Sequence, residues 1–188
     1  IGPSTIFKKI ILRLGVNIAD KIVTASDNSF PFKMEKVTTI GHAISYKYFF
    51  RDAADVKSKD FLILSRISII KNIDESIQGF LNSSFGETQS ITIVGGPLTK
   101  EDEVYENYLK DKYSQYSNIK FVGSIPHKDL SSFIEQFGFH INNTALGSYD
   151  KSVLETMAAG IINFYTNSDY DKNIPSKYEK ALTYNGTI

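Results

Sequence analysis

The sequence predicts an α/β fold: a doubly wound parallel sheet with helices on both faces. Three observations carry this. Short β-rich runs alternate with longer segments of helical period. Several runs are apolar on both faces, as strands are when helices cover each side of a parallel sheet. The connections are a few residues long, which suits successive right-handed βαβ units. With 188 residues, 41% of them hydrophobic, the chain has material for a real core, in one large domain or two small ones.

Taken in order, "KIVTAS" (Lys21 to Ser26) and "KVTTIG" (Lys36 to Gly41) read as strands. They belong to residues 1–42, a piece attached to the main unit. The stretch "AISYKYFFRDAADVKSK" breaks the rhythm, aromatic early and charged late, so 43–60 reads as a linker over the surface. The main domain is expected at 61–188. Its first strand is "FLILS" (Phe61 to Ser65); a helix follows from Lys71, with Ile73, Ile77, Phe80 and Leu81 on one stripe until Asn82-Ser83-Ser84 ends it. "SITIVG" (Ser90 to Gly95) is the next strand. Thr99 and Asp102 resemble a capping box opening a long polar helix, with Val104, Tyr108, Leu109 and Tyr113 toward the sheet. After the strand "IKFVGS" (Ile119 to Ser124), Pro126 stands where a helix begins, and Leu130, Phe133, Ile134 and Phe137 repeat at helical spacing. "FGFHIN" (Phe137 to Asn142) is a strand. A short helix from Ser152 to Ala159 stops at Gly160, and "IINFYT" (Ile161 to Thr166) is the last strand.

Charge and composition bound the chemistry. Twenty-one Lys plus Arg balance twenty-one Asp plus Glu, so no global field draws the chain to nucleic acid or an anionic membrane; any anion site is local. The chain has no cysteine, and its histidines are three and scattered (His42, His127, His140), which leaves little for a metal site or a Ser-His-Asp triad. No apolar run reaches the ~18 residues of a membrane span, and the first residues lack the order of a secretory leader. The expected location is cytoplasmic.

In doubly wound sheets ligands bind beyond the carboxyl ends of the strands, so the loops there are the places to search. "SRISIIK" brings Arg66 and Lys71 to one tight loop before a helix. From this loop alone, a phosphate-like anion site and two solvated cations are equally served. Gly95-Gly96-Pro97 permits close approach of a flat ligand, or simply answers a turn that needs positive φ. "GSIPH" from Gly123 presents backbone groups to a nucleobase, or is an ordinary turn in which His127 is a helix-start polar residue. "NNTALGSYDKSVLETMAAG" leads a polar loop into a helix whose first-turn amides face the crevice, and Glu155 stands one turn in beside Ala158 and Ala159. A carboxylate there accepts from the two hydroxyls of a ribose diol, unless it is a solvated surface residue.

From about Ala19 to about Ser168, these segments together resemble the C-terminal half of the group 1 (family 4) retaining glycosyltransferases of GT-B architecture, a Rossmann-like domain. "ADKIVTAS" and "KVTTIGHAI" resemble the end of that family's N-terminal domain and its crossover, where His42 after Gly41 departs from the usual Asn-Gly. "LSRISIIKNIDESIQGF" resembles its Arg-x4-Lys loop, "ITIVGGP" its Gly-x-Gly-Pro turn, "NIKFVGSIPHKDL" its strand and base-contacting turn, and "SVLETMAAG" its glutamate helix.

The resemblance implies a nucleotide-sugar donor of UDP or GDP type, with no metal and no other cofactor. Arg66 and Lys71 would hold the diphosphate and stabilise the leaving group, aided by amides near Ser152 and Val153. Glu155 would take the ribose hydroxyls, Gly123 and Ile125 would meet the base through the main chain, and Gly95 and Gly96 would border it. The family's further glutamate, eight positions before the ribose one, falls at Gly147, so Asp150 and Lys151 are the nearby sugar-proximal candidates. That departure keeps a second reading open, an inactive nucleotide-binding or interaction module; a sugar-nucleotide epimerase of the same architecture is a third. The expected acceptor is a glycan or a lipid-linked glycan, held by a separate N-terminal domain that also supplies peripheral contact with the inner face of the membrane. The start at Ile1 and the end in "TYNGTI" read as edges of a piece, with that domain and a final crossover helix outside it. Such a piece is expected to bind nucleotide weakly and to transfer nothing alone.

Overall fold

The computed structural model describes residues 3–50 and 58–173. Parts of the 43–60 stretch and the end of the chain, where an incomplete C-terminus is expected, lie outside the described residues.

Helix α1 (Pro3–Ile18) comes first and is not anticipated from the sequence. Val16 is buried, while Ile10, Ile11, Leu14 and Ile18, at i, i+1, i+4 and i+8, form an exposed apolar stripe on the other side of the helix. The Lys36 ammonium donates to the carbonyls of Val16 and Ala19, closing the helix C-terminus as a basic side chain can. Strands β1 (Ile22–Thr24) and β2 (Val37–Thr39) pair in parallel as a separate two-stranded sheet.

The main sheet contains β3 (Phe61–Leu64), β4 (Ile91–Val94), β5 (Ile119–Gly123), β6 (Phe139–Asn142) and β7 (Ile162–Tyr165), all parallel, in the order β5-β4-β3-β6-β7. The order reverses at β3, so a crevice opens beyond the ends of β3 and β6. Alternation divides the core. Phe61, Ile63, Ile91 and Ile93 pack on one face with Ile73, Ile77 and Phe80 of α3 (Ile73–Asn82) and Leu109 of α4 (Lys100–Lys112). Leu62, Leu64 and Val94 pack on the other with Leu130 and Ile134 of α5 (His127–Ile134) and Ala159 at the end of α6 (Lys151–Ala158). On the α3 side, toward β7, the sheet also bears an apolar groove of about 490 Å³ that includes Phe80, Phe85 and Phe164.

All seven expected strands and all four expected helices form, which makes the chain the α/β doubly wound domain predicted. Two local expectations are corrected. The Thr99–Asp102 capping box is present, with the Asp102 N–H donating to Thr99 Oγ1 at 3.1 Å. But Val104 and Tyr108 face solvent, 70% and 50% exposed. The buried stripe is Leu109 and Tyr113 with Tyr105 beside them, one residue, or ~100° of helix, away from the expected pair. The stretch read as a surface linker contains α2 (Tyr46–Phe49), and Phe49, 1% exposed, sits in the core against Leu62, Ile134 and Ala159. Of its aromatic residues Phe49 is core material, while Tyr46 and Phe50 are exposed, and nothing in the local pattern distinguishes the one from the others.

Candidate functional site

The loops after β3, β4 and β5 meet the start of α6 around a cavity of about 530 Å³ at the switch point. The Ser65 N–H donates to the Val94 carbonyl at 3.1 Å, the Ile67 N–H to the Gly96 carbonyl at 3.0 Å, and the Gly95 N–H to the Gly123 carbonyl at 2.9 Å. The register between β4 and β5 shifts after Ile93, a bulge of the kind that re-aims backbone beside active sites. Gly95 has φ +142, and a Cβ there would fall 1.8 Å from the Ser65 carbonyl oxygen. This glycine therefore answers to the backbone packing of the two loops.

Arg66, Lys71, Gly95, Gly96, Ile125, Asp150, Lys151, Ser152 and Glu155 all line the cavity. Gly123, Gly147 and Val153 do not: Gly123 holds the turn behind Ile125, Gly147 lies toward Asn28, and the Val153 side chain is fully buried.

The charges are unequal partners. Arg66 is exposed at the cavity, with no ion-pair partner among the described residues. Lys71 is 7% exposed and pairs with Asp150 at 2.5 Å. Asp150 also accepts from Asn142 Nδ2 at 3.0 Å and Thr144 Oγ1 at 2.9 Å, while its N–H donates to the Tyr170 hydroxyl at 2.5 Å. Burial alone would raise the Asp150 carboxyl, but hydrogen bonds from Lys71, Asn142 and Thr144, with the Lys71 charge, hold it below the usual carboxylate range.

Helix α6 begins directly after Asp150, and its first-turn N–H groups have no carbonyl within the helix to bond. Ser152 Oγ, in that first turn, is buried and has no hydrogen-bond partner among the described residues, an unspent polar group at the cavity wall. Glu155 is 8% exposed; its carboxylate lies 3.4 Å from His127 Nε2. A free cation, a neutralised one, a helix start and a buried carboxylate thus border one cavity. That arrangement suits a ligand with anionic groups at one end and hydroxyls at the other.

Sequence reasoning missed Ser124, whose Oγ would stand 2.5 Å from a Cβ at Gly96, and the Asn142, Thr144 and Tyr170 shell of Asp150. Asn142 and Thr144 fall within the loop already singled out, so proximity to Asp150 was a usable signal. Nothing local points to Tyr170. Among the described residues no group of three His, Asp or Glu side chains gathers as a metal ion would need.

No family model matches the chain, and no curated protein matches it in sequence. Solved structures do match in fold. Anabaena HepE, in complex with UDP and glucose, aligns with 93% of this chain and 58% of its own, at 14% identity and a TM-score of 0.70. Sucrose-phosphate synthase from Thermosynechococcus elongatus aligns with 83% of this chain and 43% of its own, at 15% identity and a TM-score of 0.68. The C-terminal domain of the group 1 glycosyl transferase LpcC from Francisella tularensis covers 68% of this chain and 71% of its own, at 17% identity and a TM-score of 0.54. The chain spans about half the length of HepE and of sucrose-phosphate synthase. Its fold is that of the C-terminal domain of GT-B glycosyltransferases.

Proposed function

We propose that this chain is the donor-binding domain of a retaining glycosyltransferase, binding a nucleoside-diphosphate sugar in the crevice beyond β3 and β6. The observation that carries the reading is the convergence of Arg66, Lys71, the α6 N-terminus and Glu155 on one cavity. Fold alone would not suffice, since one fold hosts many functions. In this reading Arg66 and Lys71, with the amides near Ser152 and Val153, hold the diphosphate and stabilise the charge that develops on the leaving group. Glu155 accepts from the ribose diol. The Gly123–Ile125 turn meets the base through the main chain, bordered by Gly95 and Gly96. Asp150, with Lys151 beside it, is the carboxylate nearest the donor sugar. No metal is assigned. UDP is the first nucleotide to try, because HepE is seen with it; GDP is the second.

The acceptor is a glycan or lipid-linked glycan held by an N-terminal domain outside this chain. A cytoplasmic setting, in contact with the inner membrane face through that domain, fits the same reading. Titration calorimetry with UDP, GDP and ADP tests it. Arg66→Ala and Glu155→Ala should each weaken the preferred nucleotide by about 1.5–3 kcal/mol, as loss of a charge-assisted contact does. Binding of none of the three, or unchanged affinity in both variants, overturns it.

A second reading, a nucleotide-binding module without transfer, is favoured by Gly147: it has no side chain, and φ +87 together with the Asn28 carbonyl leaves no room for one. Sugar transfer or donor hydrolysis by the full-length protein would exclude it.

A further inference from the structure

We infer that His127 is a positioning residue that fixes the Glu155 carboxylate for the diol of the ligand. This rests on the nucleotide-sugar reading of the cavity. Glu155 is almost fully buried, and His127 Nε2, 3.4 Å from Oε1, is its only side-chain hydrogen-bond partner among the described residues. A buried carboxylate that lines a cavity and has one oxygen anchored is restricted in orientation, which is what recognition of two adjacent hydroxyls requires.

The His127 ring is itself held. It stacks on Tyr48, with centroids 5.8 Å apart and planes at 15°, and meets the edge of Phe49 at 5.6 Å and 77°. The Tyr48 hydroxyl donates to the His127 carbonyl at 3.1 Å and is also close to the Lys128 carbonyl; Ser131 Oγ donates to the Tyr48 carbonyl at 2.6 Å. Helix α2 thus supports one side of the His127 ring, whose side chain is otherwise 66% exposed, with Nε2 toward Glu155 on α6.

The test compares UDP with 2′,3′-dideoxy-UDP by titration calorimetry on the 188-residue chain, with thermal unfolding of each variant as a check on folding. The wild type should prefer UDP. His127→Ala should weaken UDP about fivefold, the effect of one ordinary hydrogen bond, and leave the dideoxy nucleotide unchanged. His127→Gln, which keeps a donor near Nε2, should restore much of the preference. A purely structural role would weaken both nucleotides alike, and that result, or unchanged UDP affinity in His127→Ala, overturns the inference while leaving the nucleotide site standing. Failure of the wild type to bind either nucleotide overturns both. Unchanged UDP affinity in both Arg66→Ala and Glu155→Ala would remove the site reading by a different route.

Discussion

At Gly147 the backbone stands at φ +87, and a Cβ would come within 2.8 Å of the Asn28 carbonyl oxygen. Gly147→Glu, which places the acidic side chain expected by resemblance, should therefore lower stability by at least about 1–2 kcal/mol from left-handed strain alone. It should also leave donor affinity no better; urea unfolding and calorimetry check the two halves, and a stable variant that binds more tightly would refute the steric account. Arg66, Lys71 and Glu155 were legible because each lies at a short, fixed distance from a strand end or helix start. Their partners were not. Asp150 is 79 positions from Lys71, and His127 is 28 from Glu155, so only the fold brings them within reach. Asn28 and Gly147 meet by the same kind of long-range closure.

At the scale of elements, α2 is the informative case. Its four residues carry no periodic pattern long enough to announce a helix, yet Phe49 is buried in the same core cluster as Leu62 and Ala159. Phe49→Ala should cost about 3–5 kcal/mol, the usual loss for a buried phenylalanine. It should also weaken nucleotide binding, because Phe49 and Tyr48 support His127. Chemical denaturation measures the first, and a loss under about 1 kcal/mol would mean that the core does not depend on α2. The strands and the remaining helices of the main sheet were legible because two-sided apolar runs and helical stripes are local signals. The rotation of α4 was not: Val104–Tyr108 and Tyr105–Leu109 are both spaced for a helical face, and only packing chooses between them.

For the molecule as a whole, acid stability separates into two windows. His140 is fully buried on β6; desolvation pushes its pKa down to about 4, against hydrogen bonding by Asn163 and the Asp150 charge. The unfolded chain takes up this proton below its ordinary value near 6.5, and the folded chain does so only near 4. Stability from a neutral His140 is thus complete above the ordinary value and is lost as pH falls through the interval, by roughly 3 kcal/mol. Asp150, with its pKa depressed from 3.8, contributes above that value and loses its contribution only at lower pH. Urea unfolding at about pH 7 and about pH 4.5 should show most of the His140 loss, and His140→Gln should flatten it. Equal slopes in both proteins would exclude His140 as the cause.

The pairing of Lys71 with Asp150 also bears on life in a crowded ionic medium. A buried lysine without a counter-charge would be an indiscriminate trap for chloride or inorganic phosphate. Here the position is already satisfied, and a small anion that approaches Lys71 must also approach the Asp150 carboxylate. In the proposed donor complex, attachment at Arg66 and across the cavity at Glu155 is what lets the ligand share the lysine. On the proposed reading, the pair thus selects a large, multiply anchored donor over abundant simple salts.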